Sequence, residues 1–259
     1  MTEQAMTNTG SGESDVQSVL KRLGTRAMGL TGADVERIVR EARQVARRQK
    51  RPIRYQDLED GVRMNRQQLP HDLRWRFAVH EAGHAVVHHV LKLGPIQGIT
   101  IDMPDGGYSL LAFHRSGSDM LSYREDLLAM LLAGRAAEQI VLCSVSVGSA
   151  GSEDSDLARA TGLALAMERS LGFGAVQPLL YRDDKDPTPV LDAHPDLAAR
   201  VHARLEKALA KAMDLLTGSR DKLDRLTAIL FEQQALDGET VIDILDDRNS
   251  VAIRQTMSI

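Results

Sequence analysis

Hydrophobic residues recur at helical spacing over most of the chain, and this pattern predicts a mainly helical protein. The first clear stretch begins after Thr31, which can cap a helix with Asp34 in its first turn, and it ends before Pro52. A second helix is predicted over residues 56–64. Together these two helices predict a small helical unit before the larger part of the chain.

A long helix and one hairpin come next. Pro70 opens a helix that is predicted to run to Leu93, where a Gly-Pro pair stops it. Two strands are predicted over residues 98–103 and 107–113, joined by a Pro-Asp-Gly turn, the only good hairpin signal in the sequence. We therefore expect a small β-hairpin within a helical domain.

The rest of the chain again favours helices. They are predicted over residues 122–142, 154–171, 196–217 and 220–234. Ser122 and Glu125 are spaced as a capping box for the first of them, and a Gly/Ser-rich loop precedes the second. The domain division that follows is a disordered tail (1–18), a small helical unit (19–66), a larger helical domain (67–250) and a C-terminal tail (251–259).

Composition narrows the function classes. The chain has 259 residues, of which 43% are hydrophobic but only 3% aromatic, so the core is expected to be aliphatic and helical. The formal net charge of −4 means that the chain as a whole lacks the excess positive charge typical of nucleic-acid-binding proteins. A nucleic-acid binder that uses the arginines of residues 37–48 stays a minor alternative, since a solvated outer face explains them better.

Three further features bear on location. Cys143 is the single cysteine, which suits a reducing compartment, and we expect a cytoplasmic protein. The sequence has no apolar stretch of the roughly 18–20 residues that a membrane helix needs, and its start lacks the pattern of a signal peptide. The expectation is a soluble chain without a membrane segment of its own, with membrane association as the alternative if the chain is a fragment of a longer protein.

The segment His80-Glu81-Ala82-Gly83-His84 carries the strongest chemical signal. Four residues advance a helix by about 6 Å and just over one turn, so both imidazoles share one face and can bind one ion. Glu81 lies beside them, and in this arrangement its carboxylate can accept a proton from a water that the metal activates. The motif predicts a zinc site with Glu81 as general base in peptide hydrolysis.

A third ligand must come from elsewhere in the chain. His88 continues the i, i+4 ladder but lies about 12 Å along the axis from His80, too far to share an ion. The acidic candidates after the Gly/Ser loop are Glu153, Asp154 and Asp156. An exposed loop position for Glu153 and a helix N-cap for Asp154 are the ordinary interpretations, so Asp156, placed one turn inside the predicted helix, is the preferred ligand.

With these residues in view, residues 20–245 resemble the peptidase domain of the FtsH family of ATP-dependent zinc metalloproteases. The blocks that carry the resemblance are HEAGHA (80–85), GRAAE (134–138), SDLARAT (155–161), GFGAVQPLLY (172–181) and QQALDGE (233–239). The sequence departs from the usual family pattern at two points. The loop before Asp156 is about one residue longer than in the family, and Ser155 stands where asparagine is typical. The resemblance implies a helical zinc peptidase fold and a zinc endopeptidase activity on unfolded polypeptides.

Residue roles follow from the same resemblance. It implies His80, His84 and Asp156 as zinc ligands, with Glu138 orienting one of the histidines; the alternative for Glu138 is an ordinary helix-surface carboxylate. It also implies that substrate adds as a strand beside the zinc, along Gly107, Tyr108, Ser109, Leu110 and Leu111. Burial of this strand against the domain's own helices is the competing explanation.

The N-terminal unit extends the resemblance, because Thr31-Gly32-Ala33-Asp34 and the helix after it resemble the end of an AAA+ lid. No G-x-x-x-x-G-K-[ST] sequence is present, so we expect no nucleotide site. The chain is then either a piece of a longer ATPase-protease or a stand-alone peptidase with a lid remnant, so an ATPase module in the same chain or in trans stays an open alternative. The resemblance implies a hexameric ring. A non-proteolytic interaction module that keeps the fold is the alternative function.

Overall fold

A computed structural model describes residues 19–21, 23–65, 69–103, 106–147, 152, 154–182 and 187–247. The helices are α1 (Gly32–Arg48), α2 (Tyr55–Met64), α3 (His71–Val90), α4 (Leu121–Leu131), α5 (Ala133–Leu142), α6 (Asp156–Arg169), α7 (Pro187–Ala193), α8 (Pro195–Gly218), α9 (Arg220–Gln233) and α10 (Gly238–Leu245). The strands are β1 (Ile96–Met103), β2 (Gly106–Leu111) and β3 (Ala235–Asp237). The mainly helical fold class is confirmed, whereas both predicted tails lie outside the described residues.

Helix α3 is the centre of the fold. From Ala78 to His88 every residue is buried, because the helix packs against α5, α9 and β2 on different sides. A helix enclosed in this way needs apolar or small residues all round, and the polar residues inside it must find partners. The polar residues of the His-Glu motif are therefore held deep in the domain.

The sheet has the order β2-β1-β3, with β1 antiparallel to both neighbours. Ile99 in β1 pairs with Ser109 in β2 and with Leu236 in β3. The two predicted strands are present, but β3 was not predicted, because its three residues are too few to show an alternating pattern. In this sheet β2 is an edge strand.

Several predicted helix bounds are confirmed and others are wrong. The cap of α1 by Thr31 is present, with its hydroxyl accepting from Asp34 N. The helix predicted over 122–142 is instead two helices, since Leu132, with ψ near 0°, ends α4 and begins α5. The Ser122 capping box is absent because the helix begins at Leu121, which puts Ser122 inside the first turn; residue 120 takes the cap position without a side-chain bond.

Helix α1 packs on α2 and turns an arginine-rich face outward. Four of its arginines are exposed, while Arg37 is half-buried and pairs with Asp34 and Glu41. This agrees with the prediction of a solvated face.

No helix within the described residues combines the length and apolarity needed to cross a membrane.

Candidate metal centre

The His-Glu motif is buried because two helices approach each other closely. His80, Glu81 and His84 are 7%, 6% and 6% exposed. Glycines lie on both helices where α3 meets α5. A Cβ atom on Gly134 of α5 would overlap the imidazole of His80, and a Cβ atom on Gly83 of α3 would overlap atoms of α5. Glycine at both positions therefore lets the helices close over the histidines.

Both histidines have their Nδ1 atoms engaged by acceptors, which fixes the tautomers. His80 Nδ1 lies 2.9 Å from Oε1 of Glu138, and His84 Nδ1 lies 2.9 Å from the carbonyl oxygen of Met130. A carbonyl and a carboxylate can only accept, so each Nδ1 carries the proton. Both Nε2 lone pairs are then free to bind a metal.

Asp156 completes a compact triangle of donor atoms. Its Oδ2 lies 3.2 Å from Nε2 of His80 and 3.0 Å from Nε2 of His84, and the two Nε2 atoms are 3.1 Å apart. Tetrahedral zinc with bonds of 2.0–2.1 Å to these atom types needs donor separations of about 3.3 Å. The donors thus fit zinc, and within the described part of the chain no other group of three such side chains could hold a metal ion.

The electrostatics of the triangle favour a cation. Burial lowers the pKa of His80, but hydrogen bonds to Asp156 and Glu138 outweigh it and raise that pKa to about 10. Burial raises the pKa of Asp156, yet the imidazoles of His84 and His80 hold it well below its ordinary value. The site therefore stabilises positive charge between its side chains, which a divalent metal can supply in place of protons.

The start of α6 differs from the prediction, and this start determines the position of Asp156. Ser155, not Asp154, caps the helix, its hydroxyl accepting from Ala158 N, because the chain enters the helix one residue later than predicted. Asp156 is consequently the first helical residue rather than one turn inside. Asp154 is exposed near the site, and Glu153 lies outside the described residues.

Glu81 lies between the metal ligands and the edge strand. Its Oε2 accepts a hydrogen bond of 2.5 Å from the hydroxyl of Ser109. A Cβ atom on Gly107 would overlap the Glu81 side chain, so β2 can approach this closely only with glycine there. Sequence reasoning missed the contact of Ser109 with Glu81, because pairing between distant segments leaves no local signal.

A cavity of about 340 Å³ opens over the triangle and Glu81. The strand β2 forms one wall through Gly106, Gly107, Tyr108, Ser109 and Leu111. Of the five predicted substrate-strand residues, Leu110 alone does not line it. The apolar side chains Phe77, Met130 and Leu131 form further parts of the wall.

The remaining histidines of α3 lie away from the triangle. His88 is fully buried, with Nε2 3.1 Å from the carbonyl oxygen of Gly94, and burial lowers its pKa to about 4. Nε2 of His89 lies 3.0 Å from Oδ1 of Asp246. The buried position of His88 agrees with the prediction that it is not a metal ligand.

Glu138 is buried rather than on the helix surface, so the alternative weighed for it is wrong. Burial raises its pKa, but contacts with His80, Arg76 and Ser146 lower it to about 2. Ser146 donates to it from both N (2.8 Å) and Oγ (2.9 Å). Arg76 was not predicted, although its position one turn before His80 on the same helix face was a usable signal.

Comparison with known proteins places this geometry in a family. The chain is 32% identical to the ATP-dependent zinc metalloprotease FtsH 3 of Symbiobacterium thermophilum, over 88% of this chain and 40% of the relative. It is 32% identical to FtsH of Hahella chejuensis (84% and 38%) and 31% identical to FtsH of Thermotoga maritima (88% and 41%). The chain thus spans about two fifths of the length of these relatives.

The family model described as peptidase family M41 matches residues 68–244. The chain therefore belongs to peptidase family M41 and carries an FtsH-type peptidase domain.

Proposed function

We propose that this chain is a zinc-dependent endopeptidase that cleaves unfolded or extended polypeptides. The observation that carries the proposal is the triangle of His80 Nε2, His84 Nε2 and Asp156 Oδ2 beside the buried carboxylate of Glu81. These three side chains would hold the zinc, and the relatives above are named zinc metalloproteases. Zinc bound there supplies Lewis-acid chemistry, acidifying water and polarising a carbonyl.

Glu81 is the proposed general base. Its Oε2 is held by Ser109, which leaves Oε1 to take a proton from the attacking water and then deliver it to the leaving amine. Burial keeps the carboxylate away from bulk water, and the hydrogen bond restricts its rotamers. Glu138 would act on the same reaction indirectly, by orienting His80.

The edge strand β2 explains why an extended substrate is expected. An edge strand presents unpaired backbone groups, and a peptide that pairs with them extends the sheet beside the cavity. The proposed docking residues are Gly107, Tyr108, Ser109, Leu110 and Leu111. A folded protein exposes such extended segments only through rare opening, so unfolded chains are the expected substrates.

Assembly and location are proposed from the names of the relatives, the family resemblance and the cysteine content. The relatives are named ATP-dependent, which supports work with an ATPase module, in the same chain or in trans, and the family resemblance supports a hexameric ring. A cytoplasmic location is supported by the single cysteine alone.

Proteolysis of paired substrates tests the proposed function. The purified chain, loaded with zinc, is incubated with a permanently unfolded protein and with a stable folded one, each with and without a chelator. We expect slow cleavage of the unfolded protein, little cleavage of the folded one, and loss of activity with chelator that added zinc restores. Chelator-resistant cleavage, or no cleavage by zinc-loaded protein, would contradict the proposal and favour a non-proteolytic module.

A further inference from the structure

Arg76 lies on α3 one turn before His80, and its guanidinium contacts Glu138, the carboxylate that engages Nδ1 of His80. Its Nη1 donates to Oε2 of Glu138 at 2.6 Å, and its Nη2 donates to the hydroxyl of Ser144 at 2.9 Å. The Arg76 side chain is 26% exposed, so the contact is shielded from solvent on most sides. Two separate hydrogen bonds fix the plane of its guanidinium.

Glu138 connects Arg76 to the proposed metal ligand His80, because it contacts both side chains. Its side chain is only 1% exposed, and a carboxylate buried to that extent needs a compensating cation and donors for both oxygens. Oε1 faces His80 Nδ1 at 2.9 Å, while Oε2 receives Arg76. Ser146 donates to both oxygens but carries no charge. Arg76 is thus the permanently charged group in direct contact with the carboxylate that holds His80.

We propose that Arg76 is a positioning residue for the metal, acting through Glu138 to hold the His80 ring with Nε2 turned toward Asp156 and His84. The proposal rests on the proposed function, since it assumes that the triangle binds zinc. Without the guanidinium, the Glu138 carboxylate loses its counter-charge and one of the donors that fix its rotamer. The His80 ring then loses the fixed acceptor that orients it.

The expected size of the effect follows from metal sites in general. Removing the hydrogen-bond partner of a histidine ligand weakens metal binding by about 10–100-fold. Arg76 is one contact further out, so we expect a loss of about tenfold, the lower end of that range. A purely structural ion pair would instead alter thermal stability and leave the zinc affinity of the folded protein unchanged.

The experiment measures zinc affinity by competition with a chromophoric chelator on the 259-residue chain, with Zn²⁺ alone as the probe. The variants are Arg76→Met, which removes the charge, and Arg76→Lys, which keeps it. The matched control is Arg74→Met on the same helix, because the Arg74 guanidinium stacks over the Phe231 ring at 4.5 Å, away from the triangle. Arg76→Met is also combined with Glu138→Gln to show whether Arg76 acts through Glu138.

We expect Arg76→Met to bind zinc about tenfold more weakly, Arg76→Lys to recover most of the loss, and Arg74→Met to stay within about twofold of the parent chain. In the Glu138→Gln background, adding Arg76→Met should change the affinity less than about twofold. If Arg76→Met does not fold, Arg76→Gln, which keeps a donor without the charge, carries the same comparison.

Parent-like zinc affinity in folded Arg76→Met would overturn the proposal, as would equal losses in Arg74→Met or a full Arg76 effect in the Glu138→Gln background. Failure of the proposed function is distinguishable from these results. In that case the parent chain itself binds no zinc, or binds zinc and cleaves no polypeptide.

Discussion

The Ser109 hydroxyl donates a 2.5 Å hydrogen bond to Oε2 of Glu81, joining the edge strand to the proposed base. Ser109→Ala removes this donor without adding volume, so we expect turnover to fall by about tenfold, which corresponds to about 1.4 kcal/mol, close to the lower end of the roughly 1.5–3 kcal/mol of a hydrogen bond to a charged group. Zinc content should stay unchanged.

Steady-state kinetics on an unfolded substrate check this prediction, and Ser109→Thr serves as control because it keeps a hydroxyl. Turnover that is unaffected by Ser109→Ala, or lost equally in Ser109→Thr, would mean that the hydroxyl does not orient Glu81.

The third ligand is tested by comparing two neighbouring aspartates. Asp156→Asn exchanges an anionic donor for a neutral amide, and we expect at least about 100-fold weaker zinc binding, since even partners behind a ligand are worth 10–100-fold. Asp154→Asn alters an exposed residue that caps no helix, so its effects should stay within about 0.5 kcal/mol in stability and about twofold in zinc affinity. Equilibrium dialysis at fixed free zinc measures both, and a larger loss from Asp154→Asn would reassign the site.

The sequence predicted the part of the site that is local and missed most of what is distant. His80, Glu81 and His84 are related by helix geometry alone, so their convergence could be predicted from spacing. Asp156 lies 72 residues beyond His84 in the chain, and a contact over that separation depends on the fold, which spacing does not specify. Its preference as ligand rested on a predicted place one turn inside a helix, whereas the structure puts it at the first helical position, and the family resemblance implied the same residue independently.

Other partners left no side-chain pattern to detect. The Met130 acceptor is a backbone carbonyl, so any residue type could supply it. The predicted Ser122 capping box is absent because α4 begins at Leu121, and β3 is too short for a periodic signal. What the sequence could not show is therefore the tertiary placement of short or backbone elements.

Gly134 tests how closely α3 and α5 must pack. A methyl group there would overlap the His80 imidazole, so Gly134→Ala should destabilise the fold by about 1–3 kcal/mol and weaken zinc binding. Gly162→Ala is the matched control, because its Cβ meets nothing within 4 Å in α6 and should stabilise by about 0.5–1 kcal/mol. Denaturant unfolding measures both, and a stabilising Gly134→Ala would contradict the packing described.

His88 predicts a pH dependence of stability. Burial lowers its pKa to about 4, with the neighbouring His114 and His89 adding to the effect and the Gly94 and Ala112 backbone opposing it. Between about pH 4 and the ordinary value of 6.5, the unfolded chain binds a proton that the folded chain does not. The free energy of unfolding should therefore fall as the pH is lowered through this window, by on the order of 2–3 kcal/mol from this group.

Chemical denaturation of the metal-free chain at several pH values measures this effect. In His88→Gln the contribution should disappear, while all other titrating groups remain common to both proteins. Equal pH dependence in the two proteins would show that His88 is not held neutral by burial.

The most direct test of the central claim is zinc content and peptide turnover measured together in Glu81→Gln. The amide keeps nearly the same volume but cannot accept the proton that the reaction releases, and His80, His84 and Asp156 remain in place. We predict one zinc per chain, as in the parent, with turnover reduced by at least about 100-fold, as expected for loss of a general base. Near-parental turnover in the zinc-loaded variant would contradict the account, because Glu81 would then not be the base.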